Sequence, residues 1–308
     1  MSQNLSRLLT NNNEVEHFLS NVLNYNLRHD PEIINLIVDG EMGINTINIA
    51  QQTFSSSNYR HIHYKTDEKR WELRKEIISE LTTLERLDSD DNICLGKGGA
   101  LPKTPLKKKK ECFIVIGLPA SGKSGFSDKL ADKYGSIIVD SDYAKRKLPE
   151  FTAHLYGASL VHEESSQITY GFNPNSMSLD CLYDTCIING YNMVIPKIGD
   201  DPEKILNFTQ ILKKLKYKVN LVLIYVSRKN ATIRAINRYK QSKRYVPLGL
   251  IFDGYGNNPI LTYFYLRSKY NHLFNSFTLI DNNKEPFIGD KTGSKILNLK
   301  LKDLNLTL

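Results

Sequence analysis

Cysteine is scarce in this sequence. Its 308 residues include four cysteines (Cys94, Cys112, Cys181 and Cys186), none in a CxxC pair. Four are too few for a disulfide scaffold, so reduced thiols in a cytosolic compartment are expected. Long apolar runs are missing too. The most apolar stretch, residues 219–226, falls far short of the roughly 20 residues that cross a bilayer, and no membrane association is expected. The amino terminus, MSQNLSRLLTNNNEVEHF, lacks both an apolar core and a small-residue cleavage site, so no secretory signal is expected. Delivery into another cell as an effector would leave no mark of this kind. Collagen-like, low-complexity and wholly disordered classes are excluded by 41% hydrophobic and 24% charged residues. Lys and Arg number 41 against 33 Asp and Glu, a net charge of +8. That excess suits a phosphate-bearing partner without choosing between a small nucleotide and a polymer.

The chain divides into four parts by pattern. Residues 1–88 read as a helical accessory region: Leu5, Leu8 and Leu9 fall at helical spacing, as do Phe18, Val22 and Leu23, and residues 67–87 form an amphipathic pattern. Residues 89–110 read as a linker. Gly96, Gly98, Gly99, Pro102 and Pro105 interrupt regular structure there, and Lys107, Lys108, Lys109 and Lys110 form a basic run. From residue 111 to 285 short apolar runs alternate with helical patterns, predicting strands at 113–116, 136–139, 191–195, 219–226 and 277–280. Continuous apolar strands alternating with helices imply an α/β fold, a parallel sheet flanked by helices on both faces. Residues 286–308 are a tail.

Gly117-Leu118-Pro119-Ala120-Ser121-Gly122-Lys123-Ser124 fits G-x-x-x-x-G-K-[ST], directly after an apolar strand and directly before a helical pattern. In that context backbone N–H groups and a helix amino terminus cradle phosphates. Gly117, Ser121, Gly122, Lys123 and Ser124 are therefore the expected ATP-binding residues. Lys123 reaches the terminal phosphates, and the Ser124 hydroxyl ligates Mg²⁺. No guanine-reading Asn-Lys-x-Asp occurs, since Asp281-Asn282-Asn283-Lys284 does not fit it.

The second strand ends in Asp140-Ser141-Asp142. A carboxylate facing the terminal phosphate can orient an acceptor hydroxyl and take its proton, and a second can hold Mg²⁺. The plain alternative for one of the two is to cap the next helix.

At this point the chain resembles the zeta toxin kinases. The P-loop, Asp140-Ser141-Asp142 with Leu148-Pro149 downstream, and Gly190-Tyr191-Asn192-Met193-Val194-Ile195 carry the likeness. So do Ile236-Asn237-Arg238-Tyr239 and Arg244-Tyr245-Val246-Pro247, which are similar to that family's lid. His162-Glu163-Glu164-Ser165-Ser166 and residues 194–202 resemble a bacterial branch of the family. The resemblance implies a P-loop kinase moving the ATP γ-phosphate onto a sugar hydroxyl of a nucleotide-linked substrate, typically the 3′-OH of UDP-N-acetylglucosamine. It assigns Asp142 as base, Lys123 as the phosphate lysine, and Arg238 and Arg244 as lid arginines, with Arg228 and Arg234 in reserve. Asp140 is expected to serve both metal and substrate. Asp180 stands one methylene short of the family's sugar-binding glutamate, and Glu163 or Glu164 is the substitute carboxylate. Lys197 is expected in the acceptor pocket, where Ile195-Pro196-Lys197 replaces the Glu-Gly-Thr of well-studied members. That replacement leaves an NAD ribose hydroxyl as the alternative acceptor. A protein antitoxin or inhibitor is the implied partner. A nucleic-acid end kinase lacks an aromatic-interleaved basic groove, and a non-catalytic nucleotide switch would not need the acceptor and lid motifs.

Overall fold

The computed structural model describes residues 6–45, 52–153, 157–171, 181–242 and 245–283. Before the sheet come α1 (Asn12–His17), α2 (Ile33–Asn45) and α3 (Asp67–Thr83). Then β1 (Glu111–Ile116) leads into α4 (Lys123–Tyr134), and β2 (Ser136–Ile138) into α5 (Ser141–Lys147), α6 (Glu150–Ala153), α7 (Gly157–Leu160), α8 (His162–Tyr170) and α9 (Leu182–Asn189). β3 (Asn192–Lys197), α10 (Pro202–Lys214), β4 (Lys218–Tyr225), α11 (Arg228–Ser242), α12 (Asn258–Lys269) and β5 (Ser276–Asp281) complete the order.

The five strands form one sheet in the order β2-β3-β1-β4-β5, every neighbouring pair parallel. Each expected strand is there, its ends moved by no more than two residues. The strand cores Cys112 to Ile116 and Val219 to Ile224 are buried almost throughout, as a sheet covered on both faces requires. Pro196 sits in β3 opposite Val115, beyond the point where β2 stops at the Ile138–Val194 pair. There β3 has a strand neighbour on one side only, so the missing proline N–H is tolerated. The chain leaves β1 toward β2 and leaves β4 toward β5, on opposite sides. Such a sheet opens a crevice at the carboxyl ends of its central strands.

Local sequence sets several helix ends. Asp201 caps α10 by accepting from Glu203 N at 2.9 Å and Lys204 N at 3.3 Å, Pro202 follows in the first turn, and Lys213 and Lys214 fall in the last. One expectation is corrected here. The helical spacing of Leu8 and Leu9 does not make a helix, because α1 starts only after Asn11, whose side chain accepts from Glu14 N. Leu9 is buried and Leu8 exposed.

The amino-terminal part packs in two directions. Leu73, Ile77, Ile78 and Leu81 of α3 join the core around the sheet. Leu9, Val15, Phe18, Leu19, Leu23, Ile33 and Ile37 form a second core with Leu118, Val226 and the apolar side of α11. Residues expected as a linker or exposed loop are held to the sheet domain at several points. Ala100 is fully buried and its carbonyl accepts from Ile138 N at 3.0 Å. The basic run has exposed side chains, but Lys107 N donates to Gly135 O and the Lys110 carbonyl accepts from Lys218 N. Cys112, Cys181 and Cys186 are buried free thiols and Cys94 is exposed. Among the described residues no helix is long and apolar enough to cross a membrane.

A buried ionic knot ties α3 to the helices beside the crevice. Arg70, fully buried, donates to both oxygens of Glu150 (2.8 and 3.1 Å) and both of Glu164 (2.7 and 2.6 Å). Arg74 and Thr53 add donors to Glu164 at 2.7 and 2.6 Å. These hydrogen bonds outweigh the cost of burial and hold the Glu164 carboxyl below its ordinary range. Arg70→Met would take four hydrogen bonds from two buried carboxylates, leaving Glu164 with Arg74 and Thr53 and Glu150 with His61 N. A loss of about 3–5 kcal/mol in urea unfolding is expected, and a loss below about 1 kcal/mol would show that the knot contributes little.

Candidate active site

The loop after β1 is shaped by backbone. Gly117 N donates to Ile198 O at 3.0 Å and Ser121 N to Leu118 O at 3.1 Å, which folds residues 117–122 back over the strand end. A Cβ at Gly117 would lie 2.6 Å from Ile224 O, so only glycine lets the loop cross β4 this closely. Gly122, at φ +90°, turns the chain into α4 in a conformation that other residues resist. Lys123 Nζ donates to Gly117 O at 2.6 Å and Leu118 O at 2.7 Å. Its ammonium is therefore held over the loop. Burial pushes Lys123 down to about 8, with Asp140 and Asp142 opposing the shift and Arg238 adding to it.

A cleft of about 1280 Å³ opens at this loop. Ser121, Gly122, Lys123, Ser124, Asp140, Asp142, Lys197 and Arg238 all line it. Gly117 lies beneath, at the base of the loop.

Asp140 both caps a helix and lines the cleft. Its Oδ1 accepts from Asp142 N at 3.0 Å, capping α5, while its carboxylate still faces the cleft. Burial, then the negative charge of Asp142, pushes Asp140 up to about 6. Asp142 accepts from Lys145 Nζ at 3.1 Å. On the far side of the cleft Lys197 is half-buried, its ammonium 3.6 Å from the centre of the Tyr170 ring. Burial lowers it to about 8. The Tyr170 hydroxyl in turn donates to Val139 O at 2.9 Å, fixing that ring under the end of β2.

α11 carries Arg234 and Arg238 four residues apart, so they share one face, and both line the cleft. Arg228 instead stacks on Phe252, 4.5 Å from its ring centre. Glu164 must be reassigned. It does not line the cleft, because its carboxylate is fully buried and taken up by Arg70, Arg74 and Thr53. His162, on the same helix, does line the cleft and is exposed. Asp180 and Arg244 lie outside the described residues, as does the tail 286–308.

Asn282 was missed by sequence reasoning, which weighed its segment only against a guanine motif. Directly after β5, Asn282 Nδ2 donates to Ser121 O at 2.8 Å, and its own carbonyl accepts from Arg234 Nη2 at 2.8 Å. One asparagine thus connects the phosphate loop to α11. No local pattern could have flagged it, because its partners are 161 and 48 residues away.

A parallel sheet ordered β2-β3-β1-β4-β5, a P-loop after its central strand and paired carboxylates at the end of the next strand in sequence define a P-loop kinase. The family model for zeta toxins matches residues 99–255, half of the chain, and the chain belongs to that family. It is an ATP-dependent kinase, a phosphotransferase. No curated protein sequence matches it. Among solved structures it is similar to a chain from the PezAT chromosomal toxin–antitoxin system of Streptococcus pneumoniae, at 15% identity over 72% of this chain and 81% of that one, TM-score 0.48. It is also similar to a chain of the AvrRxo1-ORF1:ORF2 complex with ATP, at 19% identity over 70% of this chain and 63% of that one, TM-score 0.45. The chain thus spans less than two thirds of the AvrRxo1 chain it matches.

Two outcomes are expected at this site. Asn282→Ala removes a buried donor from the loop and should weaken ATP binding by about three- to tenfold, read by calorimetry; unchanged affinity would assign the loop's shape to its own bonds. Because the Lys123 ammonium predominates below about pH 8 and is lost above it, ATP affinity should be flat from about pH 6.5 to 7.5 and fall toward pH 9. A Lys123→Arg variant, charged throughout, should lose that fall.

Proposed function

We propose that this kinase transfers the ATP γ-phosphate to a sugar hydroxyl of a nucleotide-linked small molecule, with the 3′-OH of UDP-N-acetylglucosamine as the first acceptor. The single observation that carries this reading is the cleft itself. Lys123 and Ser124 stand on one wall, Asp140 and Asp142 on the next, and Arg234 and Arg238 on the helix above. Lys197 on its aromatic seat supports an acceptor that carries negative charge. NAD, with its diphosphate and ribose hydroxyls, is the second reading on the same observation.

Asp142 is the base. It accepts the acceptor's hydroxyl proton as that oxygen bonds to the γ-phosphorus and the bond from phosphorus to the ADP oxygen breaks. Lys145, donating to Asp142 from the next turn, keeps the carboxylate aimed. Lys123, Arg238 and Arg234 face the charge that spreads over the phosphoryl oxygens. Arg244 is retained as the second lid arginine and Asp180 as the sugar-binding carboxylate, both by family resemblance.

The donors suit Mg²⁺. Ser124 offers a hydroxyl and Asp140 a carboxylate whose charge is buried and repelled by Asp142, an arrangement that a cation relieves. Among the described residues no cluster of three or more His, Cys, Asp or Glu is arranged to hold a metal alone. When bound, the ion would neutralise charge across the β- and γ-phosphates. For a protein partner we retain an inhibitor of the antitoxin kind, supported by the family. The four-part division of the chain is retained as its sequence organisation.

The experiment is ATP consumption with UDP-N-acetylglucosamine or NAD, and identification of the product. Asp142→Asn should lower turnover by at least about a thousandfold with ATP affinity retained, whereas Lys123→Ala should lose both. Parent-like turnover in Asp142→Asn would remove it as base. Labelling of neither compound, while another metabolite in a cell extract is labelled, would overturn the acceptor assignment alone.

A further inference from the structure

α11 presents two stripes. Arg234 and Arg238 face the cleft, while Ala231, Ala235 and Tyr239, together with Thr232 and Ile236, are buried. The apolar members of that buried stripe belong to the second core, and what they meet there is the amino-terminal segment of the same chain. Polar contacts follow the same boundary. Lys240 Nζ reaches Asp30 Oδ2 at 2.7 Å, and Tyr25 OH donates to the same oxygen at 2.8 Å. The Tyr239 hydroxyl donates to Leu36 O at 3.2 Å.

Past the end of α11, Tyr245 lines the cleft, and its hydroxyl donates to buried Glu41 Oε2 at 2.5 Å. Gly40 lies flat beneath that ring; a Cβ there would come within 2.7 Å of Tyr245 Cγ. Arg7 closes the row with a two-pronged pair to Asp253, Nε to Oδ2 at 2.6 Å and Nη2 to Oδ1 at 2.9 Å. None of the residues lining the cleft comes from residues 6–45. This segment therefore does not plug the nucleotide site. It grips the arginine-bearing helix from behind.

We propose that residues 6–45 are a built-in brace that sets the position of α11 over the cleft, with Asp30 and Glu41 as positioning residues that act through Lys240 and Tyr245. The inference rests on the reading that Arg234 and Arg238 meet the phosphates. A helix held only by its own short connections would swing its arginines, and phosphoryl transfer depends on their placement to a fraction of an ångström. In this chain the surface that fixes them is supplied in cis. A kinase of this design needs no partner to order its lid, and cutting away its amino-terminal segment would disable rather than release it.

The test uses the full chain and a charge exchange at the partly exposed Lys240–Asp30 pair, where neither substitution opens a core. Lys240→Asp and Asp30→Lys each set like charges against one another. Each should speed amide hydrogen exchange across residues 228–242 by about fivefold and lower turnover by a similar factor, with KM for ATP little changed. The double variant, with the pair reversed, should restore both. Glu41→Gln, which can still accept from Tyr245, should stay near the parent, while Glu41→Ala should behave like the single charge variants. Parent-like exchange and turnover in both charge variants would overturn the brace. So would losses that the double variant does not restore. Arg238→Ala serves as the separate control. If it turns over like the parent, the lid reading fails, while exchange in α11, which needs no acceptor, still decides the brace.

Discussion

Like charges crowded at the mouth of a parallel sheet are the constraint around which this molecule is arranged. Asp140 and Asp142 lie two residues apart at the end of β2, and burial together with their mutual repulsion makes full ionisation of Asp140 costly. Cations stand around them on separate elements: Lys123 after β1, Lys145 on α5, Lys197 at the end of β3 and Arg238 on α11. The ammonium of Lys123 is itself disfavoured by burial and by Arg238. Neither sign is at rest alone. On the proposed reading, a triphosphate with its cation would supply both charges at once. The site's geometry is preorganised because every charged group stands on a helix or strand end that the cores hold in place.

How much of this was legible beforehand follows from which interactions are local. The phosphate loop could be read because its chemistry is carried by eight consecutive residues with a strand before and a helix after. The strands could be read because a doubly covered sheet needs unbroken apolar runs. Asp140 and Asp142 were legible as a pair, and the capping of α5 by Asp140 follows from the turn they begin. Glu164 was misread because it shares a helix with cleft-lining His162, Ser166 and Tyr170, yet its partners Arg70, Arg74 and Thr53 are 90 or more residues away. Asn282 was invisible for the same reason. Side chains whose function is to connect distant segments leave no spacing to find.

The amino-terminal residues make the same point at larger scale. By composition residues 1–88 form a polar helical annex. By packing they are two different objects, since α3 completes the sheet's core and the earlier segment completes the core behind α11. The division is enforced by which apolar surfaces would otherwise be bare. The face of α11 opposite its arginines is apolar, and an uncovered stripe of that kind would invite association. Leu9, Phe18, Leu19, Leu23 and Ile37 cover it. The ion pairs and hydroxyl bonds at its edges add little energy each but fix one register out of several that apolar contact alone would allow.

Two routes therefore lead mechanically into the cleft. One runs from α3 through the Arg70 knot to Glu150 and Glu164, and hence to α8, which carries cleft-lining His162, Ser166 and Tyr170. The other runs from residues 6–45 through α11 to cleft-lining Arg234 and Arg238. Asn282 joins the second route to the phosphate loop itself, taking Arg234 on its carbonyl and giving its amide to Ser121. The two walls that must converge on a transferring phosphoryl group are thus each backed by a part of the chain that never touches the cleft. A substitution far from the chemistry, at Arg70 or Asp30, should be felt as a loss at one wall and not the other. The asymmetry follows from the wiring, because the two hydrophobic clusters share no buried residue.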